Sequence, residues 1–245
     1  MGKTFLITGG TDGIGQAIVQ KILKAPEELD LVIVNYGHRV QKANEMLREL
    51  PAELQKKVLL VQADMSDYEE MQRFIRQVRD VSDHIDYLVC NVGIGEYASY
   101  EDYTLEMWDR VMRTNLTIPV FLIKELRGML TRGGSILLMG SYCGKKEYSS
   151  SVVYSISKAG VLFLAKVLVK ELEPYGVRIN ALAPGFIETR WQSGRSDQSR
   201  ERIKAKIALH RFGTAEEVAD MGYALLKNGY MNGTVVDIHG GYEYF

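Results

Sequence analysis

Short apolar runs alternate with amphipathic stretches along the whole chain. Runs rich in Val, Ile and Leu are typical of strands buried on both faces of a parallel sheet, and they lie at about 3–8, 30–35, 57–62, 85–90, 134–140, 177–183 and 234–238. Apolar positions at spacings of three and four predict helices at about 13–24, 39–50, 67–80, 103–130, 152–173 and 214–228. This alternation predicts an α/β fold, with a doubly wound parallel sheet of seven strands and helices on both faces.

We expect one domain over residues 1–245, because this length suits one core and no linker, repeat or low-complexity tract interrupts the pattern. One irregular stretch, at about 186–207, is polar and has little to bury, so we expect it to be mobile. Segments of this kind can close over a substrate as a lid. A plain surface excursion is the alternative interpretation.

A glycine-rich turn follows the first predicted strand and opens the first predicted helix. It runs from Gly9 to Gly15 and reads Gly-Gly-Thr-Asp-Gly-Ile-Gly. Glycines permit a tight turn and let backbone N–H groups approach a pyrophosphate, while Gly15 would let helix and strand pack closely. The helix amino terminus adds unpaired N–H groups and a partial positive charge. Strand, turn and helix together predict a dinucleotide site, and a turn without a ligand is the alternative.

A second group of residues indicates acid–base chemistry. Tyr154 lies thirteen residues after Ser141, and Lys158 follows Tyr154 one helical turn later. Because positions i and i+4 share a helix face, the ammonium group can lie beside the phenol ring. A free phenol titrates near pH ~10, and a neighbouring cation lowers that pKa towards the range in which acid–base catalysts work. The group predicts proton transfer to a substrate oxygen, whereas a surface tyrosine with a solvated lysine is the alternative.

The residues after the second strand bear on which dinucleotide is bound. A site for NAD usually places an acidic side chain there to accept a hydrogen bond from the ribose 2′-OH. Residues 35–39 read Asn-Tyr-Gly-His-Arg, and His38 or Arg39 could pair with a 2′-phosphate. We therefore expect NADP(H) rather than NAD(H). A solvated Arg39 in the first turn of the next helix is the alternative.

With these motifs in order, the chain resembles the short-chain dehydrogenase/reductase family from about residue 3 to residue 241. Thr8 and the glycine turn are similar to its cofactor loop. Asn91-Val92-Gly93 is similar in part to its Asn-Asn-Ala-Gly segment, and residues 184–189 match its Pro-Gly-x-x-x-Thr loop. The likeness is greatest to 3-oxoacyl-(acyl-carrier-protein) reductases, through Val-Asn-Tyr at 34–36 and Arg-Phe-Gly-Thr-Ala-Glu-Glu-Val at 211–218.

The chain departs from the family at two further positions. Asp12 stands where many NADP-using relatives carry a basic residue. Tyr175 stands where carrier-dependent reductases can place one. The first departure counts against NADP(H) and the second against a carrier-bound substrate.

The resemblance implies a Rossmann-type fold with a cofactor half at about 1–130 and a catalytic and substrate half at about 131–245. It implies a catalytic tetrad of Asn115, Ser141, Tyr154 and Lys158, in which Asn115 holds a water against Lys158. The implied substrate pocket contains Ile94, Tyr142, Cys143, Tyr148 and Phe186. The implied cofactor-binding residues are Gly9, Thr11, Asp12, Gly13, Ile14, Gly15, Tyr36, His38, Arg39, Asp64, Met65, Asn91, Val92, Gly93, Tyr154, Lys158, Pro184, Gly185, Ile187 and Thr189.

Composition narrows the classes of function. A net charge of −1 gives no general attraction for nucleic acid or anionic membranes. No run approaches the ~20 apolar residues of a membrane span, and the amino terminus does not read as a secretion signal. Two cysteines do not make a disulfide framework, so we expect a cytoplasmic protein, and the four histidines form no cluster with cysteine that predicts a metal site.

The sequence thus predicts an oxidoreductase that moves hydride between NADP(H) and a carbonyl or alcohol, with a 3-oxoacyl thioester as one candidate substrate. Another small alcohol, a sugar or a steroid-like compound remains open, as does a non-catalytic dinucleotide-binding module. The helices at 103–130 and 152–173 are apolar on more than one face, which predicts a homo-oligomer; the family resemblance implies a tetramer or a dimer.

Overall fold

Seven parallel strands form the centre of the computed structural model, which describes residues 2–147 and 151–242. They are β1 Lys3–Ile7, β2 Leu29–Tyr36, β3 Val58–Gln62, β4 Ile85–Cys90, β5 Leu130–Met139, β6 Arg178–Pro184 and β7 Val235–Ile238. Their order in the sheet is β3-β2-β1-β4-β5-β6-β7. The order reverses between β1 and β4, so the connections leave in opposite directions and open a crevice at the carboxyl ends of these strands. The predicted fold class is confirmed.

Helices cover both faces of the sheet. They are α1 Gly13–Ile22, α2 Val40–Arg48, α3 Ala52–Gln55, α4 Tyr68–Val81, α5 Leu105–Met112, α6 Ile118–Leu126, α7 Val152–Leu172, α8 Asp197–Lys204 and α9 Ala215–Lys227. Neighbouring residues of a strand point to opposite faces, so Leu6 packs into the layer beneath α4, α6 and α7, and Ile7 into the layer beneath α1 and α9. Burial on both faces explains why the strands read as unbroken apolar runs.

The prediction of a single helix at 103–130 is wrong. The structure divides it into α5, a widened π-type turn at Arg113–Thr117, and α6, and β5 already begins at Leu130. Pro119 lies in the first turn of α6 and has no N–H to bond to the carbonyl four residues earlier, which is that of Asn115. The wider π-type turn accommodates the missing hydrogen bond and holds Asn115 in the buried interior.

The interpretation of 186–207 as wholly irregular is also wrong. The segment contains a 3-10 turn at Arg190–Gln192 and the helix α8. Ser196 caps α8, because its side chain accepts a hydrogen bond from the backbone N–H of Ser199. The polar composition that concealed this helix is that of an exposed face, and only Ile203 of α8 is buried.

The helix α7 is apolar both on the side that contributes to the core and on its exposed side. The expectation that no run approaches a membrane span is wrong for this helix, because Val152–Tyr175 is the one stretch in the described ranges whose length and composition would allow one. The same composition is found in the core helices of soluble proteins, and Val161, Leu162 and Ala165 of α7 are buried against the sheet.

Candidate active site

A cleft of about 620 Å³ lies at the carboxyl ends of the strands, within the ~300–1,000 Å³ typical of cofactor and ligand sites. The glycine turn, the loops after β4, β5 and β6, and the start of α7 bound it. Most of the candidate residues line this cleft: Gly9, Asp12, Gly13, Ile14, Arg39, Asn91, Val92, Gly93, Ser141, Cys143, Tyr154, Lys158, Pro184, Gly185, Phe186, Ile187 and Thr189.

The glycine turn has the shape of a phosphate cradle. Gly13 has a φ of 51°, in the left-handed region where glycine carries no steric penalty. A Cβ on Gly15 would lie 2.2 Å from the carbonyl oxygen of Gly9, so only glycine lets α1 approach the end of β1 this closely. The amide of Asn91 donates to that same carbonyl at 3.1 Å and ties the turn to the loop after β4.

The amino terminus of α1 remains available to an anion. Asp12 is the N-cap residue, but within the described residues its side chain makes no capping hydrogen bond. Its carboxylate instead pairs with Arg39 and Lys42. The first N–H groups of α1 therefore keep their donor capacity and their share of the helix dipole, so the turn fits the pyrophosphate of a dinucleotide.

Tyr154 and Lys158 share the face of α7 that borders the cleft. The side chain of Ser151 caps this helix by accepting a hydrogen bond from the N–H of Tyr154 at 3.4 Å, which places the tyrosine in the first turn. The Lys158 Nζ lies 5.7 Å from the centre of the Tyr154 ring and donates to the carbonyl of Met139 at 2.8 Å. Burial lowers the pKa of Lys158 to about 8. The helix thus brings a cation to the phenol from its buried side.

Ser141 lies two residues after the end of β5 and faces the same cleft. Its hydroxyl donates to the carbonyl of Pro184 and accepts from the N–H of Cys143, and both distances are 3.4 Å. Hydrogen bonds this long are weak, so a substrate oxygen can compete for the hydroxyl. Burial raises the pKa of the neighbouring Cys143 thiol, which keeps it protonated at neutral pH.

Asn115 holds the loop after β4 in place. Its Oδ1 accepts from the N–H of Ile94 at 2.8 Å, and its Nδ2 donates to the carbonyl of Ile94 and to the hydroxyl of Ser157, both at 2.9 Å. The loop packs directly on Lys158, because a Cβ on Gly93 would lie 3.0 Å from the Lys158 Nζ. The side chain therefore acts as a positioning group, and the water that the family resemblance assigns to Asn115 stays a prediction.

Several predicted cofactor residues lie outside the cleft lining. Thr11 is buried, Gly15 serves packing, and Met65, in the loop after β3, is buried in the core. His38 is 83% exposed, and its Nε2 lies 3.3 Å from a carboxylate oxygen of Asp64. Among the described residues of the second strand and its loop, Gly37 and Arg39 line the cleft, whereas Tyr36 and His38 do not.

Two of the residues predicted for the substrate pocket, Tyr142 and Ile94, do not line the cleft. Tyr142 is 2% exposed and packs its ring 4.1 Å from that of His239, behind the cleft wall rather than in it. Ile94 contacts Asn115 through its backbone and does not contribute to the described lining. Tyr148 lies outside the described residues. Phe186 and Cys143 do line the cleft, as predicted.

Sequence reasoning missed an aromatic wall over Tyr154. The ring of Trp191 lies 5.5 Å from that of Tyr154, and its Nε1 donates to the hydroxyl of Tyr97 at 3.0 Å. Tyr242 approaches from the carboxyl-terminal segment and packs against Phe186 at 5.4 Å. Tyr97, after the fourth strand, was the one available signal in the sequence. Its contact with Trp191 joins segments too far apart in the chain for residue spacing to predict.

Comparison with known proteins places this architecture among well-described relatives. A family model described as enoyl-(acyl carrier protein) reductase matches residues 9–243. The 3-oxoacyl-[acyl-carrier-protein] reductase FabG of Aquifex aeolicus is 34% identical over 98% of this chain and 97% of its own length. A short-chain dehydrogenase/reductase from Serratia marcescens superposes with a TM-score of 0.90 at 27% identity, covering 99% of this chain and 98% of the other. A short-chain dehydrogenase from Burkholderia cenocepacia, solved in complex with NADP, gives 0.89 at 26% identity, with 99% and 98% covered.

Proposed function

Since the chain belongs to the short-chain dehydrogenase/reductase family, whose members oxidise CH–OH groups or reduce carbonyls, we propose that it is an NADP(H)-dependent carbonyl reductase. The observation that carries the proposal is the convergence of Ser141, Tyr154 and Lys158 on the cleft that begins at the glycine turn. A nicotinamide bound there supplies the hydride. The protein supplies the orientation of the substrate and the proton.

In this proposal Tyr154 is the proton donor. Its hydroxyl and that of Ser141 border the same cleft, so both donate hydrogen bonds to the carbonyl oxygen of a substrate. As negative charge develops on that oxygen, Tyr154 gives up its proton, and Ser141 holds the oxygen in place. The Lys158 cation, 5.7 Å from the ring centre, stabilises the negative charge that the tyrosine then carries.

Lys158 has a second function in this proposal. In the structure its Nζ bonds to the Met139 carbonyl, and Met139 itself lines the cleft. An ammonium group has three donors, so it can keep this bond and still donate to the hydroxyls of a nicotinamide ribose. On the cofactor side Thr189 covers the glycine turn, since a Cβ on Gly13 would lie 3.4 Å from its methyl group, and Ile187 lines the same cleft.

For the substrate we propose a 3-oxoacyl thioester. Full-length relatives named as 3-oxoacyl-[acyl-carrier-protein] reductases support it, and so does the charge at the cleft mouth. Arg195, Arg202 and Lys206 line that mouth. Across the described residues neither Arg202 nor Lys206 is paired with a carboxylate, so both can receive the phosphate groups of a pantetheine-bearing thioester.

Reversing the charge of Arg202 at the cleft mouth tests whether the substrate carries phosphate groups. We expect Arg202→Glu to raise the KM for acetoacetyl-coenzyme A about tenfold in low salt and the KM for a neutral ketone less than about twofold. Lys204→Glu is the matched control, because Lys204 lies on α8, pairs with Glu201 and does not line the described cleft. Equal effects on both substrates, or rates indifferent to salt, would remove the argument for a phosphate-bearing thioester.

A substrate panel separates the remaining candidates. Preferred turnover of a small alcohol, a sugar or a steroid-like compound over the thioester would assign that class instead. Failure to oxidise NADPH with any carbonyl compound would leave a non-catalytic dinucleotide-binding module. The cytoplasm remains the expected compartment, and the two buried, unpaired cysteines are compatible with it.

We further propose that the protein is a homo-oligomer that pairs through α7. Ile156, Phe163 and Val167 are apolar and between 45% and 65% exposed on this helix. Their exposure as a group favours an interface between copies of the chain. Light scattering should therefore give at least twice the 27.7 kDa of one chain, and Phe163→Glu should shift the mass towards it. A wild-type protein that stays at 27.7 kDa at micromolar concentration would contradict this proposal.

A further inference from the structure

Three charged side chains meet at the cofactor end of the cleft. One carboxylate oxygen of Asp12 pairs with the guanidinium of Arg39, and the other pairs with the ammonium of Lys42. Burial opposes ionisation of Asp12, but the hydrogen bonds from Lys42 and Arg39 together outweigh it and lower the pKa of this carboxyl. At neutral pH the group is therefore a carboxylate held between two cations.

The location of Asp12, Arg39 and Lys42 bears on which dinucleotide the cleft prefers. Asp12 precedes α1, and Arg39 lies in the loop after β2, where Rossmann-type sites bind the ribose of the adenosine. Asp12 is also the only acidic side chain among the described residues that line the cleft. A 2′-phosphate in this position would need the same two cations that Asp12 now engages.

We propose that Asp12 is an intramolecular competitor for the 2′-phosphate of NADP(H), and that Lys42 joins Arg39 in binding that phosphate. The inference rests on the proposed use of NADP(H). With no phosphate bound, Asp12 neutralises part of the charge of both cations. When the phosphate binds, the cations turn to it, and the carboxylate remains as a nearby like charge.

The two dinucleotides differ in what they must displace. NAD(H) has no 2′-phosphate, so it leaves the contacts of Asp12 with Arg39 and Lys42 intact. NADP(H) must break them and then tolerate the carboxylate. Asp12 thus weakens NADP(H) selectively and brings the affinities of the two cofactors closer together.

Binding measurements test the competition without any need for turnover. Dissociation constants for NADPH and NADH are measured by calorimetry on the wild type, Asp12→Asn, Lys42→Met and the double variant. Asp12→Asn should tighten NADPH about fivefold to tenfold in low salt and change NADH less than about twofold. Lys42→Met should weaken NADPH by a similar factor, and Lys21→Met, whose ammonium pairs with Asp220 on the surface, should change neither.

The double variant shows whether the two residues act together. If Asp12 acts by engaging Lys42, the gain from Asp12→Asn shrinks when Lys42 is already methionine. A gain in NADPH affinity that is unchanged in that background would overturn the role of Lys42. Weaker NADPH binding by Asp12→Asn would show that the carboxylate orients the cations rather than competing, and weaker NADH binding alone would show that it accepts a hydrogen bond from the ribose.

The same data separate this inference from the proposal on which it rests. A wild type that binds NADH more tightly than NADPH, with Asp12→Asn unable to reverse the order, would refute the use of NADP(H). A wild type that prefers NADPH, with a preference that Asp12→Asn leaves unchanged, would refute the competition alone.

Discussion

Tyr154→Phe should lower kcat for carbonyl reduction by about 10³-fold and leave NADPH affinity within about twofold of the wild type. The substitution removes the hydroxyl that we propose as the proton donor and keeps the ring. The ring packs against Trp191 at 5.5 Å, and phenylalanine preserves this contact. Hydride transfer without a proton donor must leave a full negative charge on the substrate oxygen, which Ser141 alone stabilises poorly.

Stopped-flow measurement of NADPH oxidation with acetoacetyl-coenzyme A checks this result at the chemical step. Tyr230→Phe serves as the control, because Tyr230 is fully exposed and is not among the described residues that line the cleft. It should retain the wild-type rate. Turnover by Tyr154→Phe near the wild-type rate would exclude Tyr154 as the proton donor.

Lys158→Met should lower kcat about 10²- to 10³-fold and also weaken NADPH about tenfold, since a charge-assisted hydrogen bond contributes about 1.5–3 kcal/mol. Methionine keeps much of the stem of the side chain and removes the charge near the Tyr154 ring. The combined loss of turnover and of cofactor affinity distinguishes this variant from Tyr154→Phe. Lys56→Met is the control, because Lys56 is exposed and pairs with Glu53.

The pH dependence of the wild type follows from the same lysine. Burial lowers the pKa of Lys158 from its ordinary value of 10.5 to about 8, so the cation is populated below about pH 8 and lost above it. The rate of carbonyl reduction should therefore be level below this pH and fall as the pH rises through it. Lys158→Met should lack this limb, and a wild-type rate that is flat from pH 7 to about 9.5 would contradict the role of the cation.

Stability should change with pH in the opposite direction. Below about pH 8 the folded and unfolded chains both carry the charge, and the folded state bears the full cost of burying it. Between about 8 and 10.5 the unfolded chain binds more protons at this position, so the contribution of Lys158 to folding becomes more favourable as pH rises. Denaturant titrations of wild type and Lys158→Met at pH 7 and 9.5 measure this difference.

The strands and the glycine turn were predictable because local sequence determines them. A run such as Leu6-Ile7 reads as apolar on successive positions only when both faces of a strand are covered. The glycine spacing has a steric cause that the structure shows directly, in the 2.2 Å approach of a Gly15 Cβ to the Gly9 carbonyl. Periodicity and backbone sterics thus made the fold class and the location of the glycine turn predictable.

The aromatic wall over Tyr154 could not be predicted in the same way. Trp191 meets Tyr97 across ninety-four residues of chain, and nothing in either local sequence indicates the other. The pairing of Asp12 with Lys42 likewise joins two segments that only the fold brings together. Tyr142 was misplaced because its position beside Ser141 says nothing about which way the short turn after β5 points its ring.

The interrupted helix is a different kind of failure. The apolar pattern from 103 to 130 is continuous, and Pro119 was the local signal that one regular helix could not run through it. The break places Asn115 where its amide can bind both backbone groups of Ile94 and the hydroxyl of Ser157. A position that departs from regular helix geometry is here also a position that supports the candidate active site.

A crystal structure of the chain with NADP⁺ bound is the sharpest test of the proposed cofactor site. We expect the pyrophosphate at the amino terminus of α1, with the nicotinamide ring between Ile187 and the hydroxyls of Ser141 and Tyr154. We also expect the Lys158 Nζ within hydrogen-bonding distance of the nicotinamide ribose. A dinucleotide bound outside this cleft, or one whose nicotinamide lies beyond the reach of Tyr154, would contradict it.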